Sequence, residues 1–99
     1  MIIPINKDDI PYRFDIELAG VVFTFEIDYN VSYDFFSVDM HLDGEPIFLG
    51  KKLVLNQSLF AEVVDTRIPE GLDIIPKSST EQRISWDNFG DKVQLEVIE

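Results

Sequence analysis

The side chains in this sequence best suited to chemistry are Asp39, His41 and Asp43, because His41 is its only histidine. Any Ser-His-Asp relay must pass through that imidazole. With no cysteine, a Cys-His pair or a thiolate metal site has no material. Carboxylate and imidazole are metal-ligand chemistry, and at i, i+2 and i+4 of a strand the three side chains share a face. Successive same-face residues stand about 7 Å apart along a strand, too far to converge on one ion without a bulge. The spacing therefore predicts a solvated polar face, with no metal and no other cofactor. Nineteen acidic residues make some opposed carboxylate pair inevitable, so the pair a glycosidase needs is not diagnostic here. There is no Gly-x-Ser-x-Gly elbow and no glycine-rich phosphate loop; the five glycines stand singly at turns. Trp86, beside Ile84, reads as a core residue. Nothing here marks an enzyme.

These residues are positioned by strands. Tyr12, Phe14, Ile16 and Leu18 alternate with Arg13, Asp15 and Glu17; after Ala19-Gly20, Val21, Phe23, Phe25, Ile27 and Tyr29 alternate with Val22, Thr24, Glu26 and Asp28. A period of two predicts strands over about 12–18 and 21–29, joined by a tight turn. A two-residue loop at Ala19-Gly20 sets Leu18 opposite Val21, Ile16 opposite Phe23, Phe14 opposite Phe25 and Tyr12 opposite Ile27. All the apolar residues then share one face, with Arg13 opposite Glu26 on the other. One step of slip would turn the second strand inside out. Gly20 supplies the positive φ that a primed turn needs, while Ala19 is poorer than Asn or Asp at the first loop position.

A third strand is expected over Phe35–Leu42, with Phe36, Val38, Met40 and Leu42 on one face. Asp43-Gly44 is the strongest hairpin signal in the chain. It leads into a strand over Glu45–Leu49 that sets Met40 opposite Ile47 and Val38 opposite Leu49. Pro46 has no N–H to donate and places this strand at a sheet edge or in a bulge. Further short strands are expected at 53–55 and at 72–75, the latter stopped by Pro76. Residues 57–64 fit either a helical turn capped by Ser58 or a strand. The last strand carries Val93, Leu95 and Val97. Turn signals every 8–12 residues predict an all-β fold: a small antiparallel β-sandwich or partly open barrel built from hairpins, with at most one short helical turn. Residues 1–11 read as an extended N-terminal arm and 12–99 as a single β domain. The expected core is Phe14, Ile16, Phe23, Phe25, Ile27, Val38, Met40, Val93 and Leu95.

Candidate interaction residues are Ile2, Ile3, Ile5 and Ile10 in the arm, which either packs back on the domain or lies on a neighbour. Phe35 and Phe48 join them on the reverse face of the second hairpin. The chain carries 19 acids against 8 bases, a net charge of −11, scattered rather than gathered in a tail. That sign opposes nucleic acid and anionic membrane surfaces, whose recognition rests on Lys and Arg. The start lacks a basic region followed by an apolar stretch, and no run approaches the ~20 apolar residues of a transmembrane helix. The chain is expected to work in the cytoplasm or in an assembly built there.

Read whole, the sequence resembles the baseplate plug family of contractile-tailed phages. The resemblance rests on Ile10-Pro11 leading into Phe14-x-Ile16-x-Leu18-x-Gly20, on Asp28-Tyr29-Asn30, and on Asp43-Gly44-x-Pro46-Ile47. It continues with Gly71-Leu72-x-Ile74-Ile75 and, most specifically, Asp87-Asn88-Phe89-Gly90 before Val93-x-Leu95. The chain departs from the pattern between Asn56 and Arg67, where Leu59-Phe60-Ala61-Glu62-Val63-Val64 replaces an expected glycine-containing loop. The resemblance implies a structural virion protein of a phage or prophage, in or near the central hub of a tail baseplate. It implies baseplate or hub proteins as partners, and no catalytic residues. A small carbohydrate- or protein-binding β-sandwich module is the alternative.

Overall fold

The computed structural model describes residues 1–99. Seven strands form two antiparallel sheets: β1 (Ile2–Ile3), β2 (Tyr12–Leu18), β3 (Val21–Asn30), β4 (Phe35–Leu42), β5 (Glu45–Lys52), β6 (Asp73–Lys77) and β7 (Gln94–Ile98). One sheet has the order β2-β3-β4-β5 and the other β1-β7-β6. Side chains from both sheets meet in one core cluster that includes Ile3, Ile74, Leu95 and Val97 from one sheet and Phe23, Phe25, Ile27, Phe36 and Met40 from the other. The fold is an all-β sandwich, with one short 3-10 turn at Lys7–Asp9.

The first hairpin has the expected register, from Leu18 opposite Val21 to Tyr12 opposite Ile27. Ala19 and Gly20 both take positive φ, 51° and 80°, as a type I′ turn requires. Of the expected core, Phe14 and Ile16 are only half-buried, because β2 is an edge strand.

The second hairpin departs from the expected pairing. β5 lies at the edge, as Pro46 demands, but it runs on to Lys52, and Met40 faces Phe48 while Val38 faces Lys51. Two bulges cause the shift: Ile47 is an extra residue, and Leu49-Gly50 together oppose Asp39. Gly50 takes φ 64°, and its N–H donates to the Asp39 carboxylate at 2.6 Å, holding the second bulge in place.

The stretch after β5 is not a strand at 53–55, although the Leu53 N–H still reaches the Phe36 carbonyl at 2.9 Å. Residues 57–64 form turns, neither helix nor strand, with the Ser58 hydroxyl accepting from the Phe60 N–H. This segment instead caps β6. The N–H groups of Asn56 and Leu59 donate to the carbonyls of Pro76 and Ile74, at 2.7 and 2.8 Å. The same contacts explain why Pro76 does not stop β6. Its carbonyl points away from β7, so its missing N–H would have pointed to the outer edge, where nothing needs it.

Residues 1–11 pack back on the domain. Ile3 is buried opposite Leu95, and the Val97 N–H donates to the Met1 carbonyl at 2.7 Å.

Candidate functional site

Asp39, His41 and Asp43, whose spacing was too wide for them to converge, are each held in a different setting. Asp39 is occupied by the Gly50 N–H, Asp43 sits in the hairpin turn at φ 52°, and His41 is half-buried between Thr24 of β3 and Pro46 of β5. The acidic groups that do come together are Glu26, Asp28 and Asp39, with oxygens within 4.8 Å of one another. This cluster follows from the β3–β4 register, which sets Glu26 opposite Asp39. The loop between those strands left that register open in the sequence. Glu26 also lies 3.8 Å from Arg13, its expected cross-strand partner. All three acids are half-exposed, so the cluster is a solvated negative patch on the outer face of the larger sheet.

A second constellation gathers at the end of the sandwich around Asp34. Its carboxylate accepts from the Tyr29 hydroxyl at 2.7 Å, the Trp86 N–H at 2.9 Å and the Arg83 guanidinium at 2.5 Å. The bond from Tyr29, the Trp86 N–H and then Arg83 hold the Asp34 pKa below the usual carboxylate range. Tyr29 is raised in turn, first by its bond to Asp34. Trp86 is not the core residue its neighbours suggested. Its ring packs on Tyr29 at 4.8 Å and stays 36% exposed, with the Lys7 ammonium 5.4 Å from its centre. Ile10, Pro11, Tyr29, Val31 and Trp86, with Asp28 at the rim, line an open groove beside it.

The Asp87-Asn88-Phe89-Gly90 segment ties this end together. Asn88 is buried; its amide donates to Glu81 and to the Arg83 carbonyl and accepts from the Ser85 N–H. Phe89 is fully buried, 4.4 Å from the Phe36 ring. Gly90 takes φ 85°, and a Cβ there would lie 2.9 Å from the Ile5 carbonyl oxygen. Only glycine lets the arm approach this closely.

Of the remaining candidate residues, Ile2 is 51% exposed, while Ile5 and Ile10 pack partly against the core. Phe35 is half-buried under the Lys52 ammonium, 5.0 Å from its ring. Phe48 does not lie on the reverse face. The bulge at Ile47 turns it to the core side opposite Met40, where it meets Phe60 at 6.4 Å. Phe35 and Phe48 therefore do not form the exposed aromatic pair that a sugar platform would use.

The family model that matches is described as the cyanophage baseplate Pam3 plug gp18, and the match spans residues 1–99, the whole chain. The chain belongs to this baseplate plug family. The plug is thus a structural component of the phage virion tail, and its neighbours are other baseplate proteins. A search of curated proteins gives no match. The glycines on which the resemblance rested hold definite structural positions: Gly20 and Gly44 in the two hairpin turns, Gly90 under the arm.

Proposed function

We propose that this protein is a non-catalytic assembly component that closes the hub of a contractile-tail baseplate and is built into it in the host cytoplasm. The observation that carries this reading is the family match over all 99 residues. The charge supports it. A surface of −11 repels phosphate, so the protein binds neither nucleic acid nor anionic membranes, and DNA leaving the tail does not adhere. Alone in solution the protein is a monomer or weak oligomer, held tightly only among its baseplate neighbours. Of the expected interaction residues only Ile3 is buried; Ile2 is exposed, and Ile5, Ile10, Phe35 and Phe48, all half-buried, keep some surface for such contacts. Deleting the gene tests the role: lysates examined by electron microscopy should contain intact heads with unfinished baseplates or tails. Complete, infectious tails lacking the protein would overturn it.

A further inference from the structure

The sandwich presents four sheet edges, and three of them are blocked. β1 has only two residues. The outer edge of β6 is capped by the N–H groups of Asn56 and Leu59. β5 carries Pro46, two bulges and Lys51-Lys52, and the outward Pro46 carbonyl is taken by Arg67 at 3.1 Å. Proline, bulges, lysines and covering segments are the devices by which natural edges avoid pairing. β2 has none of them. It runs seven residues without proline or bulge.

The two-residue turn fixes which of its groups are free. Residues flanking such a loop form a hydrogen-bonded pair, and bonded pairs then alternate along the ladder. Leu18, Ile16, Phe14 and Tyr12 thus bond to β3, and the N–H and C=O groups of Arg13, Asp15 and Glu17 point outward. No hydrogen bond in the chain reaches them. Beneath this edge Tyr12, Phe14 and Ile16 are large, core-facing and only half-buried.

We propose that this edge pairs with β2 of a second copy, antiparallel about a two-fold axis at Asp15, joining the two four-stranded sheets into one. The sequence of β2 is self-complementary in that register. Arg13 faces Glu17 of the second copy at both ends, and Phe14 faces Ile16 of the second copy on the apolar side. The three outward residues meet in bonded phase and form about six backbone hydrogen bonds. Shifting the pairing by two residues either sets acids against acids or brings Pro11, with no N–H, opposite Glu17. One unfavourable element remains, the meeting of the two Asp15 side chains, and together with the −11 charge of each copy it keeps the dimer weak. The contact is independent of the plug role, so failure of either leaves the other standing.

The test uses the full chain in physiological salt, by sedimentation velocity from micromolar to millimolar protein. A monomer–dimer equilibrium is expected, with hydrogen-exchange protection of the Arg13, Asp15 and Glu17 amides growing with concentration. Arg13→Glu should weaken dimerisation about tenfold, since both cross-copy pairs become repulsive. Combining it with Glu17→Arg should restore the dimer. Asp15→Asn should tighten it a few-fold, about what removing one like-charge pair contributes. All three positions are exposed, so the variants keep the fold. A species monomeric at every concentration, or a dimer indifferent to Arg13→Glu, or a loss that the Glu17→Arg exchange does not rescue, overturns the proposal.

Discussion

Asp34 ties three residues from two parts of the chain to one carboxylate: Tyr29 at the end of β3, and Arg83 and Trp86 in the segment before β7. Its lowered pKa, due first to the Tyr29 hydroxyl, has a definite consequence for stability. A carboxyl held low in the folded state contributes fully above the unfolded value of about 4 and loses that contribution as pH falls through the folded value. Asp65, lowered to about 2 by Arg67, acts in the same window. The Tyr29 hydroxyl, raised above 10.0, works from the other side. Its contribution is complete below the unfolded value and lost as pH rises through the folded one. Melting temperature should therefore hold a plateau between the two and fall at each end. Because one bond shifts both groups, Asp34→Asn and Tyr29→Phe should each flatten both limbs, Asp34→Asn most on the acid side and Tyr29→Phe most on the alkaline side. Thermal scans across pH check this, and superimposable profiles for wild type and variants would contradict it.

At the scale of elements, the two hairpin turns repay the closest look. Ala19 sits at φ 51°, a left-handed conformation that costs an ordinary L-residue about 1–2 kcal/mol. Ala19→Gly removes that cost but adds chain entropy to the unfolded state, so a net gain of about 0.5–1 kcal/mol is expected. The only side-chain bond at this position, from the Ala19 N–H to Glu99, uses backbone and survives the change. Urea unfolding should show a higher midpoint at unchanged slope, and a lower midpoint would contradict the turn assignment. This turn was legible in the sequence because a period of two on both flanks leaves a single loop length that keeps all the aromatics together. The second hairpin was legible only at its turn. Within Glu45–Lys52 Pro46 pointed to an edge or a bulge, but nothing there announces the second bulge at Leu49-Gly50, since that depends on Asp39 reaching the Gly50 N–H across the ladder. Residues 53–72 were the least legible. They lack periodicity and are held by bonds to the outer edge of β6, a strand that lies later in the chain. The pairing of Ile2–Ile3 with β7 is likewise a contact between the two ends, which local pattern does not encode. The same non-local packing explains Trp86: its neighbours in sequence pointed inward, while Tyr29 and Lys7 hold it at the surface.

At the scale of the whole molecule, the imbalance of charge governs the response to salt. Folding gathers Asp15, Glu17, Glu26, Asp28 and Asp39 on the outer face of the larger sheet, with Arg13 as a nearby cation, and sets Glu26 directly opposite Asp39. Like charges directly opposed across a ladder are unfavourable. Two opposite effects of salt compete. Screening weakens the Arg83–Asp34 and Arg67–Asp65 pairs, and it also relieves repulsion among 19 acids that have only 8 basic partners. Surface ion pairs contribute little individually, so relief of repulsion should win. Going from about 0.01 to 0.15 M NaCl shortens the screening length from about 30 to 8 Å, below the spacing of much of this acidic face. A melting temperature higher by about 4–8 °C is expected, corresponding to roughly 1 kcal/mol in a domain of this size. Calorimetry on dilute protein, where the single copy dominates, measures it without a contribution from dimerisation. Replacing Asp28 with Asn and Glu17 with Gln removes two of the crowded charges, so this double variant should start from a higher melting temperature at low salt and gain less from added NaCl. A melting temperature that falls as salt is added would show that the few ion pairs outweigh the repulsion, and that the acidic face is not a cost to the fold.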